Sequence, residues 1–383
     1  MALTKTQLTI GGIAIAALAV ALVVQNGLQK SLRRENETLQ QKVAKLSADN
    51  QSLADKISIS PHIPHLPAPA IQVSDSSGSG VDTPTLYSRL KDKDLKLKAA
   101  QLEAYLAANG RSAASLLAAY RTTSDPALLS EAMRNFPDNP EVAFEAATRK
   151  DVSPDEQRHW LDVLKKSAPD NALANYLSAL DDFKTAQTDQ AVKEFTAAAG
   201  KHFEDYSSQR YQNDTEAYLA AGSSVPDAKF AAGTGLTLPQ LQMIKDAGLD
   251  MIELAKSYQQ TGDSASAQAA MQMAISLGQR YGTSSPGEPV LSQLVGLSIE
   301  MRALNAMDPN AAYGNNGQTV QDQLSQIKQQ HDSLRQQSEQ VNALLPSMSE
   351  QEWAIYNDRW LTLGEQNAYQ WVINRYGRNA ANP

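Results

Sequence analysis

Hydrophobic residues form one uninterrupted run near the start of the chain. Residues 8–24 (LTIGGIAIAALAVALVV) contain no charged side chain. At a rise of about 1.5 Å per residue, such a run is just long enough to cross the hydrocarbon core of a bilayer. The pattern predicts a short tail and a transmembrane anchor within residues 1–24. A signal peptide cleaved near Ala19-Val20-Ala21 is the alternative, although the apolar run continues past that site.

Leucine then recurs at every seventh position through residues 25–57, which is typical of a coiled coil. Leucine at position d, with β-branched residues and asparagine at position a, favours parallel two-stranded coils, and each buried asparagine fixes the register. We therefore expect a parallel homodimer through residues 28–57; a lone helix lying on another surface is the alternative. The register residues are Leu32, Leu39, Leu46 and Leu53 at d, and Asn36, Val43 and Asn50 at a.

A stretch rich in proline, serine and glycine, residues 58–85, separates the coil from the rest of the chain. Its prolines disfavour helix and favour an extended chain, so we expect a disordered linker. His62 and His65 lie three residues apart in this stretch. On an extended segment the two rings need not converge, and no third ligand is evident. We therefore expect no metal site.

Beyond residue 86, apolar positions recur at helical spacing and β-branched runs are sparse, so the expected fold is all-α. Residues 136–139 (FPDN) recur as residues 168–171 (APDN), a shift of 32 positions. In each copy the proline can close one helical hairpin, and the Asp or Asn after it can cap the next helix. We expect helical repeats over residues 86–317.

Small residues follow the second copy, with a large residue between them. They are Ala179, Ala191 and Ala198 with Phe195, and further on Ala255, Gly262, Ala267 and Ala274 with Tyr258 and Met271. In these positions the chain resembles the tetratricopeptide family; residues 200–246 fit it poorly. The resemblance implies a stack of antiparallel helix pairs packed through small residues, with a concave surface that binds protein or peptide.

A final helical hairpin is expected over residues 318–376, followed by a disordered tail over residues 377–383. Its first helix carries a coiled-coil-like stripe, and its second helix begins at a capping box formed by Ser349 and Glu352. The stripe consists of Val320, Leu324, Ile327, His331, Leu334, Ser338, Val341 and Leu345. The second helix carries the aromatic residues Trp353, Tyr356, Trp360, Tyr369 and Trp371. These aromatics either seal the end of the repeat stack or bind a partner.

Charge and composition narrow the classes of function. The net charge is −8, which argues against nucleic acid as a partner. The chain has no cysteine, so disulfides, thiolate nucleophiles and cysteine-ligated metals are excluded. We find no catalytic motif and expect no cofactor. The sequence thus predicts a membrane-anchored, non-catalytic scaffold or adaptor. An envelope-associated hydrolase with a helical body and a purely structural spacer are the alternatives.

The predicted anchor also indicates where in the cell the protein is located. Residues 1–57 are similar to the anchor-plus-coil tails of some bacterial sigma-factor-like proteins, so we expect a single-pass protein of a bacterial inner membrane. The positive residues after the span, Lys30, Arg33 and Arg34, favour a cytoplasmic body. The short tail before the span and the linker after the coil favour an extracytoplasmic body, which is the side we expect.

Overall fold

In a computed structural model the chain divides into two units, Met1–Thr83 and Pro84–Pro383. The structure describes residues 97–282, 287–314 and 317–376, all of which belong to the second unit. The predicted anchor, coil, linker and tail lie outside the described residues, as do all the coil register residues, so they stay predictions. Among the helices that the structure describes, none combines the length and the apolar character that a membrane span requires.

The described residues are mostly helical, in agreement with the all-α prediction. The first five helices are α1 (Ala99–Ala108), α2 (Ala113–Thr123), α3 (Pro126–Asn135), α4 (Pro140–Thr148) and α5 (Pro154–Ser167). Helices α3, α4 and α5 each begin at a proline that follows a capping side chain. The predicted capping residue Asn139 accepts a hydrogen bond from the Val142 backbone N–H at 3.1 Å.

The next seven helices contain the hairpins that carry the small-residue pattern. They are α6 (Leu173–Lys184), α7 (Thr188–Ala198), α8 (Ser207–Ala220), α9 (Val225–Gly235), α10 (Pro239–Gln260), α11 (Ser264–Tyr281) and α12 (Val290–Asn305). Helix α6 packs on α7 and α10, and α10 packs on α11 and α12. One layer is therefore α6, α10 and α12, and α7 and α11 lie outside it.

The predicted packing positions lie inside this stack. Ala179, Ala191 and Ala198 are fully buried and Phe195 is nearly so. In the second match the small residues Ala255, Ala267 and Ala274 are buried together with Met271. Gly262 turns the chain between α10 and α11 with φ of 80°. Helix pairing through small residues is thus as the sequence predicts.

The stretch that fits the repeat poorly forms the hairpin α8–α9, which leaves the stack. Helix α8 packs against α2, and α9 packs against a helix near the end of the chain, α14 (Glu350–Leu363). The repeat pattern fails there because the partners of α8 and α9 are distant in the sequence.

The C-terminal part departs from the prediction of a simple hairpin. Two-residue strands β1 (Ala312–Tyr313) and β2 (Gln318–Thr319) pair antiparallel, with Ala312 opposite Thr319. They precede α13 (Val320–Leu344), a 3-10 turn (Leu345–Ser347), α14 and α15 (Glu365–Tyr376). The predicted capping box of Ser349 and Glu352 is confirmed at the start of α14.

The prediction of one last helix is wrong, because Gly364 breaks it into α14 and α15. Gly364 has a φ of 87° and a ψ of 152°, a positive-φ conformation that glycine adopts without steric cost. Trp353, Tyr356 and Trp360 therefore lie on α14, whereas Tyr369 and Trp371 lie on α15.

Two hydrophobic clusters contain most of the buried hydrophobic residues that the structure describes. The hairpin core joins α4–α7 with α10–α13 and contains many alanines. The aromatic core joins α8 and α9 with α14, α15, the start of α12 and the end of α13. Helix α13 connects the two, since Val320, Ile327 and Leu334 lie in the hairpin core and Val341 in the aromatic core. The other stripe residues, Leu324, His331, Ser338 and Leu345, are half-buried.

Candidate functional site

The five aromatics predicted as a cap or a partner site lie mostly in the interior. Trp353, Tyr356, Trp360 and Tyr369 are 5–6% exposed, and Trp371 is partly buried at the edge of the aromatic core. A partner could reach the buried four only by displacing α14 or α15 from the body.

These rings attach the C-terminal helices to the hairpin α8–α9. The Trp353 ring meets the Phe230 ring of α9 edge to face, with centroids 4.8 Å apart. Trp360 meets Tyr211 of α8 in the same way at 5.0 Å. Edge-to-face pairs stabilise beyond the area they bury. The geometry is that of a packed core joining two hairpins.

A buried carboxylate lies inside this aromatic core. One oxygen of Glu365 accepts a hydrogen bond from the Val290 backbone N–H at 2.6 Å, and the other accepts one from the Tyr356 hydroxyl at 2.8 Å. Val290 is the first residue of α12, so the carboxylate caps that helix from the start of α15. Burial raises the pKa of Glu365 in spite of these donors. Glu365 thus holds the C-terminal helices against α12.

A second set of buried charges joins α2, α4 and α8. The Arg121 guanidinium contacts the Asp214 carboxylate at 2.7 Å and the Glu145 carboxylate at 3.3 Å. All three side chains are at most 13% exposed. Arg210 is 2% exposed, lies 3.7 Å from Glu145 and donates to the Thr237 carbonyl at 3.0 Å. Removing one member of such a buried pair leaves an uncompensated charge.

The chemistry of this second set is that of an internal ion network. Its positive and negative groups face each other, and burial raises the pKa of Asp214 even with Arg121 beside it. Both carboxylates, Asp214 and Glu145, lie within 3.3 Å of a guanidinium. The network fixes where α8 lies relative to α2 and α4.

A polar groove opens at the turn between α6 and α7. Its volume is about 620 Å³ including the open solvent above it, and Gln187, Asp189 and Lys193 are among its lining residues. Across residues 97–282, 287–314 and 317–376, no three His, Asp or Glu side chains converge in a way that could hold a metal ion.

The sequence interpretation missed Arg121, Glu145, Asp214 and Glu365. One signal was available: Arg121 and Glu145 lie in short helices that are rich in alanine and other apolar residues, AASLLAAYRTT and PEVAFEAAT. A charge on the buried face of such a helix indicates a buried partner, but the sequence does not say which residue that partner is.

Comparison with known proteins adds no relative to this description. No protein-family model, no curated protein and no solved structure matches the chain.

Proposed function

We propose that this protein is a membrane-anchored scaffold or adaptor that binds a protein or peptide partner through its helical body. Residues 1–57 would anchor and pair the chains, with the body on the extracytoplasmic side of a bacterial inner membrane. The tetratricopeptide resemblance belongs to this proposal. The observation that carries it is the layered stack of helical hairpins, an architecture that offers extended surfaces for binding.

The burial pattern indicates which surface is available to a partner. Every residue from Asn171 to Asp181 is buried, so the inner helix α6 is enclosed. Helix α12 exposes only Leu291, Arg302 and Asn305. The outer helices α7 and α11, and α13, which packs on α12, expose many polar side chains instead. The partner surface is therefore assigned to these three helices rather than to a concavity lined by the inner ones.

Site-specific photo-crosslinking in living cells tests this assignment. A photoreactive amino acid replaces Lys193 on α7, Gln272 on α11 or Gln329 on α13 of the full chain, all of which are exposed. The expected result is crosslinking of one and the same protein from at least two of these positions. Exposed Glu103 on α1 is the matched control and should not yield that product.

Equal crosslinking from Glu103, or no specific product from α7, α11 and α13, would contradict the adaptor proposal. The enclosure of α6 is also what a structural spacer would show, because a spacer needs no open binding face. In that case shortening the coil by whole heptads should alter the protein's role in the envelope although no partner crosslinks.

A further inference from the structure

The ends of four helices bring a group of polar side chains together. Asp205 lies two residues before α8, Gln240 is the second residue of α10, Tyr281 is the last of α11 and Glu288 lies two residues before α12. We call these four residues the polar junction. None of the four residues belongs to the ion network of Arg121 or to the aromatic core.

Short contacts hold the junction together. The Oδ1 atom of Asp205 accepts from the Ser207 backbone N–H at 3.0 Å, and its Oδ2 atom accepts from Gln240 Nε2 at 2.9 Å. The Tyr281 ring packs on Phe203 with centroids 4.4 Å apart.

The segment before α12 lies against α8. A Cβ added to Gly287 would lie 2.0 Å from the Ser208 Oγ atom, so the Gly287 backbone lies directly against this side chain. This contact brings Glu288 to the start of α8, where its carboxylate acts electrostatically on Tyr281 and interacts with Asp205.

Two oxygen atoms of the junction have no protein donor. Gln240 is completely buried, yet its Oε1 atom has no hydrogen-bond partner. Tyr281 is 2% exposed, and its hydroxyl likewise has none. Buried polar atoms in proteins nearly always have a partner, so these atoms indicate an occupant.

We propose that the polar junction binds a hard divalent cation of the calcium or magnesium class. The carboxylates of Asp205 and Glu288 and the amide oxygen of Gln240 would be its ligands, and the Tyr281 hydroxyl would bond to a water on the ion. All of these are oxygen atoms, which such cations prefer, and magnesium commonly binds through only one or two carboxylates.

The surrounding charges allow such an ion. Arg210 interacts electrostatically with Asp205, and its guanidinium donates to Thr237. The four junction residues themselves carry two carboxyl groups and no cationic group. With so few protein ligands, the dissociation constant is expected at roughly 0.1–1 mM, as in extracellular calcium modules.

Thermal unfolding of the full chain in detergent tests the proposal. The protein is stripped with EDTA and studied at pH 8 with about 5 mM CaCl2 or MgCl2. One of the two ions should raise the Tm by roughly 2–5 °C. Tb³⁺ bound at the site should also show luminescence sensitised by the nearby tyrosine. Adding the same divalent ion should displace Tb³⁺ and remove this luminescence.

Matched variants locate the site. Glu288→Gln should abolish the Tm rise, whereas Glu300→Gln should keep it, since Glu300 is also a buried carboxyl whose pKa is raised to about 7 but lies outside the junction. If the natural chain showed neither a Tm rise nor displaceable Tb³⁺ luminescence, the proposal would be overturned. Ordered water would then occupy the site. An equal Tm rise in Glu288→Gln would overturn it as well. The Tb³⁺ measurement needs no variant, so it stands even if Glu288→Gln does not fold.

Discussion

The hairpin core and the aromatic core bury their residues in different ways. In the hairpin core, small residues let helix backbones touch: a Cβ on Gly296 of α12 would lie 2.4 Å from the Gly278 carbonyl oxygen of α11. In the aromatic core, rings fill the space between helices, as Trp360 and Tyr211 do. Two helix backbones can approach closely only where no side-chain atoms lie between them. Ring packing instead requires large side chains, and those of Trp360 and Tyr211 each carry a polar group.

Both cores also bury polar groups that lack a favourable partner. In the aromatic core the indole N–H groups of Trp353 and Trp360 and the Tyr211 hydroxyl are buried without a hydrogen-bond partner. In the hairpin core the Tyr281 hydroxyl has none, and Glu300, beside the glycine contact, is 3% exposed. The two cores therefore differ in how their helices pack, through rings or through close backbone contact, and both bury polar groups at a cost in stability.

Removing a ring from the aromatic core should have the largest effect. Trp360→Ala is expected to lower the free energy of unfolding by about 3–5 kcal/mol, the usual loss for a buried tryptophan. Urea unfolding followed by circular dichroism measures it. Ile355→Ala on the same helix is the control, since Ile355 is 44% exposed, and it should cost less than about 1 kcal/mol. Similar losses in both variants would mean that α14 is not packed through Trp360.

Adding a single carbon to the hairpin core should have the next largest effect. Gly296→Ala would place its Cβ 2.4 Å from both Gly278 O and Gly282 N, which are backbone atoms. The helices must separate, so we expect a loss of about 2–3 kcal/mol in the free energy of unfolding.

Gly235→Ala is the control for this prediction. Gly235 ends α9, and the nearest atom to an added Cβ is the Tyr218 hydroxyl oxygen at 3.9 Å. This change should be close to neutral in the same urea titration. If Gly296→Ala were as well tolerated as Gly235→Ala, α11 and α12 would not depend on backbone contact.

The two cores also differ in how far the sequence predicts them. Ala179, Ala191 and Phe195 could be assigned as packing residues because helix α6 and its partner α7 are consecutive, and local spacing defines their contact. Arg121 and Asp214 lie 93 residues apart, and only the tertiary fold brings them together. The aromatic core is of this second kind, since Tyr211 and Trp360 come from distant hairpins.

The polar junction could not be predicted from the sequence for the same reason. Asp205, Gln240, Tyr281 and Glu288 follow no common spacing, and each stands at the end of a different helix. Spacing rules describe residues within one element, so they could not connect these four. The break at Gly364 could have been predicted, because a glycine within a helical pattern is a recognised sign of an interruption.

Glu300 should make the stability of the hairpin core depend on pH. Its pKa is raised from 4.5 to about 7 by burial. The folded state then holds this proton more tightly than the unfolded chain, so stability falls as pH rises through roughly 5 to 7. Glu300→Gln removes the penalty and should stabilise the protein by about 2 kcal/mol at pH 8, with little change at pH 5.

The difference between the natural chain and Glu300→Gln in urea midpoints at several pH values isolates this carboxyl from others that titrate nearby. Glu253→Gln is the control, because the Glu253 side chain is 69% exposed, and its urea midpoint should stay close to that of the natural chain. A Glu300→Gln protein that is less stable at pH 8 than the natural chain would show that the carboxylate makes a favourable contact.

The ion pair between Lys229 and Asp358 should have the smallest effect, although it joins α9 to α14 at the edge of the aromatic core. The Asp358 side chain is 59% exposed, and pairs open to solvent stabilise proteins by at most about 1 kcal/mol. Asp358→Asn should therefore shift the urea midpoint only slightly, and about 0.5 M NaCl should remove the difference by screening. If Asp358→Asn lowered the free energy of unfolding as much as Trp360→Ala, and did so in salt as well, this ion pair would be the main attachment of α14. The rings would then only fill the space beside it.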